Sequence, residues 1–351
     1  MGKRRLYGRM VGLFLILGLL VLAGCSSGGG QQGSDVVELK LAHFFPSVHP
    51  VETQLLQPWA KAVEEATGGR VRITTYPGET LAKANDIYAG VVEGIADMGV
   101  SCFSYTRGRF PVLEAFELPG IIYKNSKVAS QVAWEGIQEL NPQEVQDTKL
   151  LMVFATGPGD LFTKKPVRNL EDLQGMLIRA TGLSAKTLQA LGAVPEAMAQ
   201  SEAYEALTKG VVHGNLGPME ILQGWKMAEV TDYITKTPFL YNTLFFLTMN
   251  LEKWNSLPPD VQEAILKVNE EYFETVAAGL WDWQNEQAYD YAVREKGMQV
   301  IELSPEETQR WIERVEGIQD EYVAQTAQQG LPGAEALQLV KALADKYNQQ
   351  Y

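Results

Sequence analysis

The pattern of apolar and polar residues switches repeatedly between two periods along most of the chain. Short runs rich in β-branched and aromatic residues are typical of strands, and the stretches between them repeat apolar residues every three to four positions, as helices do. The predicted strands are 36–44, 70–76, 95–103, 149–155, 176–180, 211–215 and 244–249. Because strands separated by helices need crossover connections, this order predicts an α/β fold with a largely parallel sheet in each of two domains.

Capping residues predict where two of the helices begin. Asn141 and Ser304 are each followed by proline at the first helical position and by glutamate at the third. This combination satisfies the free N–H groups of a helix N-terminus, so we predict a helix after each of them. Further helices are predicted over 51–65 and 83–93.

A longer helix is predicted from Asp260 to about Lys296, where Gly279 is the single glycine and proline is absent. One continuous helix of this length would extend on the order of 55 Å and could brace two domains. A break near Gly279 is the alternative. The apolar residues that mark its predicted buried face are Val261, Ala264, Ile265, Val268, Tyr272, Val276, Leu280 and Trp283.

The first 24 residues have the order of an export signal. Four basic residues precede an apolar run over 11–22, and Cys25 follows directly on two small residues. The run is too short for a spanning helix, and small residues before a cysteine are typical of a bacterial lipoprotein signal. We expect removal of 1–24, lipidation of Cys25 and a flexible tether over 25–35. The alternatives are an ordinary signal peptide and an N-terminal anchor helix.

Charge and cysteine content narrow the possible partners. The chain has a formal charge of −13, and loss of residues 1–24, which carry four basic and no acidic side chains, takes it to −17. So acidic a protein repels nucleic acid and anionic membranes, whereas a small anion responds to the local field of its pocket. If Cys25 is lipidated, Cys102 is the one remaining cysteine, and its apolar surroundings predict an inert buried thiol.

Catalytic and metal-binding patterns are missing from the sequence. The histidines His43, His49 and His213 do not have the spacing of a metal site. There is no nucleophile elbow, phosphate-binding loop or dinucleotide fingerprint, and the glycine-rich stretch 157–160 is predicted to be a turn. We therefore predict a protein without metal or cofactor that is not an enzyme.

Arg179 is the residue whose position indicates a ligand, because it ends an apolar predicted strand and precedes a predicted helix. Ligands of open parallel sheets bind beyond the carboxyl ends of the strands, and a guanidinium there matches both oxygens of a carboxylate. Pairing with an acidic side chain of the protein is the alternative. Several aromatic residues near predicted strand ends are candidates for a pocket wall, although most aromatics lie in cores. They are Phe44, Phe45, Phe103, Tyr105, Phe162, Trp225, Phe245 and Phe246.

Two segments carry a family resemblance that covers residues 36–351. They are 172–179 (DLQGMLIR) and 202–214 (EAYEALTKGVVHG), supported by 94–99 (GIADMG), 108–111 (GRFP) and 249–254 (MNLEKW). With them the chain resembles the solute-binding proteins of tripartite ATP-independent periplasmic (TRAP) transporters, of the C4-dicarboxylate-binding type. The resemblance implies a two-lobed periplasmic solute-binding-protein fold, type II-like, with crossing strands and a long bracing helix. It implies that lobe I covers 36–156 plus about 244–285, and lobe II 157–243 plus about 286–351.

The resemblance also implies the residues of the ligand site. The carboxylate-binding arginine of the family falls on Arg179. The other expected lining residues are Phe44, Tyr105, Thr106, Gly159, Phe162, Gly182, Gln200, Gly217, Met219 and Phe245. Gly159 stands where some members have a second cation, Gly217 where asparagine is frequent, and His213 where an acidic residue is usual. Fewer polar partners and more space predict one carboxylate on a bulky or aromatic body.

The implied function is capture of an organic carboxylate outside the cytoplasm and its delivery to TRAP membrane permease subunits. The membrane is then contacted through the N-terminal lipid only, and nucleic acid is not a partner. The alternatives are a C4-dicarboxylate binder, a protein that presents its ligand to a sensor kinase, and an extracytoplasmic enzyme acting on a carboxylic acid.

Overall fold

Two β-sheets organise residues 36–351, the part of the chain that this computed structural model describes. The predicted signal, the tether and Cys25 lie outside the described residues. The strands are β1 (Val37–His43), β2 (Val71–Tyr76), β3 (Met98–Cys102), β4 (Thr148–Ala155), β5 (Asp160–Thr163), β6 (Leu177–Ala180), β7 (Val194–Ala197), β8 (Gly214–Gly217), β9 (Tyr233–Thr235), β10 (Leu244–Asn250) and β11 (Gln299–Ile301).

Each sheet is parallel except for one reversed strand. The first sheet has the order β2-β1-β3-β10-β4 and the second β11-β9-β5-β8-β6-β7. In the first sheet β10 runs antiparallel to both neighbours, and in the second β5 does so. The chain enters β5 when it leaves the first sheet and β10 when it returns. The predicted largely parallel α/β arrangement is therefore confirmed, and the reversed strands are those that cross between the lobes.

Thirteen α-helices connect or cover the strands within residues 36–351. They are α1 (Gln57–Ala66), α2 (Ile87–Val92), α3 (Ser126–Leu140), α4 (Leu170–Leu173), α5 (Ser184–Ala190), α6 (Gln200–Lys209), α7 (Ile221–Gly224), α8 (Leu251–Ser256), α9 (Pro259–Tyr272), α10 (Leu280–Asp290), α11 (Pro305–Val315), α12 (Gly317–Gln328) and α13 (Gly333–Gln350). None of the described helices is both long and apolar enough to cross a bilayer.

The two capping predictions had different outcomes. Ser304 caps α11, since its hydroxyl accepts a hydrogen bond from the backbone N–H of Glu307. The prediction at Asn141 is wrong, because this residue ends α3 in the left-handed conformation (φ 41°) and only a short 3₁₀ turn follows. Asparagine is one of the few residues that adopt this conformation readily, so it suits either end of a helix.

The predicted long helix over 260–296 is a series of helical segments that includes π-helical turns and a short break at 278–279. After α9 come a π-helical segment, Phe273–Ala277, and a turn at Gly279 that leads into α10. A π turn contains more residues than an α turn, so it shifts the buried face along the sequence. As a result Trp281 is fully buried, whereas Trp283, which the stripe predicted as buried, is 43% exposed.

The C-terminal helices lie on both sides of the molecule. α11 packs on α4 and α5, and α13 packs on α3 beside the first sheet. Lys346 of α13 forms an ion pair with Glu135 of α3 at 2.7 Å. The predicted lobe boundaries stay a prediction. Because α13 packs on α3, we propose that α13 belongs to lobe I and not to lobe II.

Candidate functional site

A small cavity lies where strands of both sheets end. Phe44 directly follows β1, Thr181 directly follows β6, and Phe245 lies at the start of the reversed strand β10. Of the predicted site residues, the structure brings Phe44, Tyr105, Arg179, Gln200 and Phe245 together in its lining. The cavity encloses about 30 Å³, which is room for about two water molecules.

Arg179 lies in β6 and is only 2% exposed. Its Nε donates to the backbone oxygen of Met198 at 3.1 Å, Nη1 to Oδ1 of Asn215 at 3.3 Å and Nη2 to the hydroxyl of Tyr105 at 3.3 Å. All three acceptors are neutral. Among residues 36–351, no carboxylate lies within 4.0 Å of this guanidinium.

The alternative pairing of Arg179 with an acid of the protein is therefore not seen in the described part of the chain. Hydrogen bonds to neutral groups do not neutralise a buried charge. The desolvation of such a charge costs several kcal/mol. An anion that enters the cavity would balance it. The arrangement suits capture of an anion, because the protein itself leaves the charge unmatched.

Tyr105 joins the two sheets at this point. It ends the short turn after β3, and its hydroxyl accepts hydrogen bonds from Arg179 of β6 and from the backbone N–H of Gln200, the latter at 2.9 Å. Burial raises the pKa of the Tyr105 phenol well above its ordinary value, so the hydroxyl keeps its proton. With both lone pairs used, that O–H is left as a donor.

Aromatic rings form one wall of the cavity. Phe44 stacks on Phe45 at 4.2 Å between ring centroids and on Trp225 at 5.8 Å. Phe245 stacks on Trp281 at 4.7 Å with an interplanar angle of 13°. Trp281 was not predicted, because the wide turns before α10 moved it inward. The wall offers flat apolar surfaces to a planar ligand body.

One buried polar pair connects the two sheets beside this wall. The Nε2 atom of His49, in the loop after β1, lies 2.5 Å from Oε1 of Glu220, which follows β8. Nδ1 of His49 accepts the backbone N–H of Val51 at 3.1 Å, so the ring proton is on Nε2 and points to Glu220. The one acidic side chain in the lining therefore already has a partner within the described residues.

Four predicted site residues lie elsewhere. Thr106 and Gly182 line a separate groove rather than this cavity. Phe162 is fully buried in a second hydrophobic cluster under β5, and Met219, in the same cluster, lines another shallow groove. Their role in ligand binding stays a prediction without support from position.

Gly159 and Gly217 do not provide the extra space expected from them. Gly159 directly precedes β5 and lies against the backbone of Gly217, which ends β8 and pairs with Asp160. A Cβ at Gly159 would lie 2.5 Å from a ring carbon of Tyr241, and one at Gly217 would lie 3.1 Å from Cδ1 of Ile221. The larger side chains of Tyr241 and Ile221, both of which line the cavity, fill the volume that the glycines leave.

The separate groove is larger, at about 620 Å³, and it is lined by charges of both signs. Glu117 is the most buried of them, and burial raises the pKa of this carboxyl to about 8 although the backbone N–H of Leu244 donates to it at 2.8 Å. Burial also raises the pKa of nearby Glu114. Lys186 on α5 hydrogen-bonds to Gln325 at 3.0 Å.

The described residues hold no cluster of three or more metal-ligating side chains. His43 bonds to Glu52 at 2.9 Å, and His213 is exposed at the surface. Cys102, at the end of β3, is buried, and burial raises the pKa of its thiol well above the ordinary value. A protonated thiol is a poor nucleophile and a poor metal ligand.

Comparison with known proteins gives consistent matches over most of the chain. Residues 41–326 match the model of bacterial extracellular solute-binding protein family 7. The C4-dicarboxylate-binding periplasmic protein DctP of Rhodobacter capsulatus is 28% identical, over 80% of this chain and 83% of its own.

Two solved structures have the same fold. One is a marine metagenome TRAP solute-binding protein specific for aromatic acids, co-crystallised with 3-hydroxybenzoate; it is 30% identical, with a TM-score of 0.84 over 90% of this chain and 99% of its own. The other, from Rhodoferax ferrireducens with copurified benzoate, is 26% identical, with a TM-score of 0.83 over the same shares of both chains. This protein therefore belongs to bacterial extracellular solute-binding protein family 7, as a TRAP-type binding protein and not an enzyme.

Proposed function

We propose that this protein captures an aromatic monocarboxylate between its two lobes and delivers it to the membrane permease of a TRAP transporter. The observation that carries the proposal is the buried guanidinium of Arg179, which has no acidic partner among residues 36–351 and lines the same cavity as a wall of aromatic rings.

The hydrogen bonds of Arg179 fit a carboxylate that binds through both oxygens. Three of its five N–H bonds are used by the protein, one on each nitrogen. One N–H on Nη1 and one on Nη2 are left, and a guanidinium can use one N–H from each of these nitrogens to bind both oxygens of a carboxylate. The hydroxyl of Tyr105, which keeps its proton, is a further donor next to Nη2.

The charges of the lining favour one carboxylate over two. Arg179 is its single cationic side chain, and Glu220, its single acidic one, is already bonded to His49. The ring of Tyr241 lies against Gly159, so this position does not provide a second cationic side chain to the cavity. A second carboxylate would lie against aromatic rings without a cation, at a desolvation cost of several kcal/mol.

The size of the cavity implies that the lobes move apart to admit a ligand. At about 30 Å³ it does not hold a benzene ring in this arrangement. Contacts that cross between the sheets, from Tyr105 to Gln200 and from His49 to Glu220, close the site. Once a ligand has entered, the lobes close on it in a form that has room for its ring, and the contacts that the ligand makes with both lobes in that form alone stabilise it.

The ligands of two similar proteins support an aromatic acid. The metagenome protein was co-crystallised with 3-hydroxybenzoate and the Rhodoferax protein copurified with benzoate. The second candidate is a C4-dicarboxylate, which the name of the Rhodobacter capsulatus relative favours. The single cation of the lining argues against it.

We further propose that the mature protein is held outside the cytoplasm by a lipid on Cys25, with 25–35 as a tether. The sequence of the first 25 residues supports this proposal. Intact mass spectrometry of protein from membranes would show a diacyl or triacyl addition on Cys25, and a Cys25→Ser variant would lose it. An unmodified Cys25 in the wild type would exclude the anchor.

Isothermal titration with a panel of acids tests the ligand class. We expect benzoate and phenylacetate to bind, and succinate to bind at least about 10-fold more weakly, because its second carboxylate has no cation. The protein should first be unfolded and refolded to remove any copurified acid. Tighter binding of succinate than of every aromatic acid would contradict the proposal and favour a C4-dicarboxylate as the ligand.

A further inference from the structure

A chain of side-chain hydrogen bonds runs from Arg179 through Asn215 to Gln200. Nη1 of Arg179 donates to Oδ1 of Asn215 at 3.3 Å, and Nδ2 of Asn215 donates to Oε1 of Gln200 at 3.1 Å. Asn215 lies in β8 beside β6, paired with Arg179 in the parallel register, and it is fully buried. It was not among the predicted site residues.

The donor and acceptor roles in this series of hydrogen bonds follow from which groups can donate. Arginine can only donate, so the oxygen of Asn215 must face Arg179, and its NH₂ group must then face Gln200. Gln200 can accept that hydrogen bond only with its own oxygen. The two amides are therefore held in one orientation, and the NH₂ group of Gln200 is the donor that this series of hydrogen bonds does not use.

The leftover NH₂ group is buried and has no partner within the described residues. The same is true of the hydroxyl of Thr181, the residue that directly follows β6. Both residues line the cavity with Arg179. Buried donors without an acceptor cost about 1–3 kcal/mol each, so a ligand atom that accepts from them gains affinity.

The donors around Arg179 outnumber what a single carboxylate can accept. Arg179 offers two free N–H bonds, Tyr105 one O–H, Gln200 two N–H and Thr181 one O–H. A carboxylate has about four lone-pair positions. The oxygen atoms of Asn215, Gln200 and Tyr105 are all engaged, so the surplus is one of donors.

We propose that Gln200 and Thr181 recognise a second acceptor oxygen directly beside the carboxylate of the ligand, which makes an aromatic 2-oxo acid the preferred substrate class. Asn215 is a positioning residue that keeps the NH₂ group of Gln200 toward the ligand. The inference rests on the proposed function, because it uses the same site and the same carboxylate contact.

Phenylglyoxylate and phenylacetate test this directly, since they differ only in a carbonyl oxygen in place of two hydrogens. Titration of the ligand-free wild type should give at least about 10-fold tighter binding of phenylglyoxylate. Gln200→Leu and Thr181→Val should each reduce that preference at least about 3-fold, because each variant should weaken the binding of phenylglyoxylate more than that of phenylacetate. Asn215→Leu should reduce the preference as well, because the amide of Gln200 is then free to turn.

Gln189→Leu is the matched control, because this exposed glutamine of α5 lies outside the cavity, and it should leave the preference unchanged. Each variant is checked by its melting temperature, and Thr181→Val, which keeps the side-chain shape, decides the test if a glutamine or asparagine variant does not fold. Equal affinity of the wild type for both acids, or variants that weaken both acids equally, would overturn the inference and leave the proposed function standing. Failure of the wild type to bind either acid would instead count against the proposed function.

Discussion

Two cavities of this protein use the same two loops and have opposite character. The small cavity, of about 30 Å³, and the groove, of about 620 Å³, are both lined by residues that follow β3 and β6. The groove is about twenty times larger, and its lining has charged side chains of both signs. The small cavity has one buried cation without an acidic partner in the described chain. Unmatched chemistry, and not volume, is therefore the reason why we propose the small cavity as the ligand site.

The largest effect that separates the two cavities should come from Arg179. Loss of one member of a buried charge pair costs about 2–5 kcal/mol, or roughly 30- to 5000-fold in affinity. We expect Arg179→Ala to reduce binding of phenylacetate by this factor. Arg179→Lys should also bind poorly, because a single ammonium cannot reproduce the fork.

The control for this experiment is Lys186→Ala, which removes a cation from the groove. It should change affinity less than 2-fold, as should Arg294→Lys on the exposed surface. A large loss with Lys186→Ala and none with Arg179→Ala would place the ligand in the groove.

The groove should differ from the cavity in its response to pH. The folded-state pKa of Glu117 is about 8, above the ordinary value of 4.5, so its contribution to stability is full below about pH 4.5 and is lost as pH rises to about 8. We expect the free energy of unfolding of the wild type to fall over this window, by on the order of a few kcal/mol from this group. Glu117→Gln should flatten the fall, measured by urea denaturation at several pH values.

Part of the slope should remain in that variant, because burial also raises the pKa of Glu144, to about 7. Glu139→Gln, on the exposed side of α3, is the matched control and should leave the slope as it is. An unchanged slope in Glu117→Gln would show that this carboxyl ionises freely in the folded protein. Ligand affinity should be unaffected, since Glu117 is not in the cavity.

A smaller effect is expected at the pair of His49 and Glu220, which belongs to the cavity alone. His49→Phe keeps a ring of similar size beside Phe45 but leaves the buried carboxylate without its donor. Closure should then become less favourable by about 1.5–3 kcal/mol, which weakens ligand binding roughly 10- to 150-fold. Small-angle scattering without ligand should show a larger radius of gyration. An unchanged affinity would remove this pair from the closure mechanism.

Local sequence pattern was enough for the strands whose ends build the site. The predicted strands at 36–44, 95–103 and 176–180 correspond to β1, β3 and β6. Arg179 could be singled out because an arginine at the end of an apolar strand is unusual, and its role as a ligand contact stays a prediction. The strand predicted at 211–215 begins later, at Gly214, because α6 ends at Lys209 with Gly210 as its C-cap and three more residues lead to β8.

Contacts between distant segments could not be predicted in this way. Asn215 has no local signal, since its role arises from register with β6 and from Gln200. Trp281 moved inward because a π turn changed the helix phase. The space beside Gly159 was filled by Tyr241, which is far along the chain. Each of these three positions depends on tertiary packing, which the periodicity of apolar residues does not reveal.

A crystal structure with phenylacetate bound would test the central claim most directly. We expect its carboxylate oxygens within 3.2 Å of Nη1 and Nη2 of Arg179, with the ring between Phe44 and Phe245. A carboxylate bound in the groove beside Lys186, with Arg179 still bonded only to Met198, Asn215 and Tyr105, would contradict it.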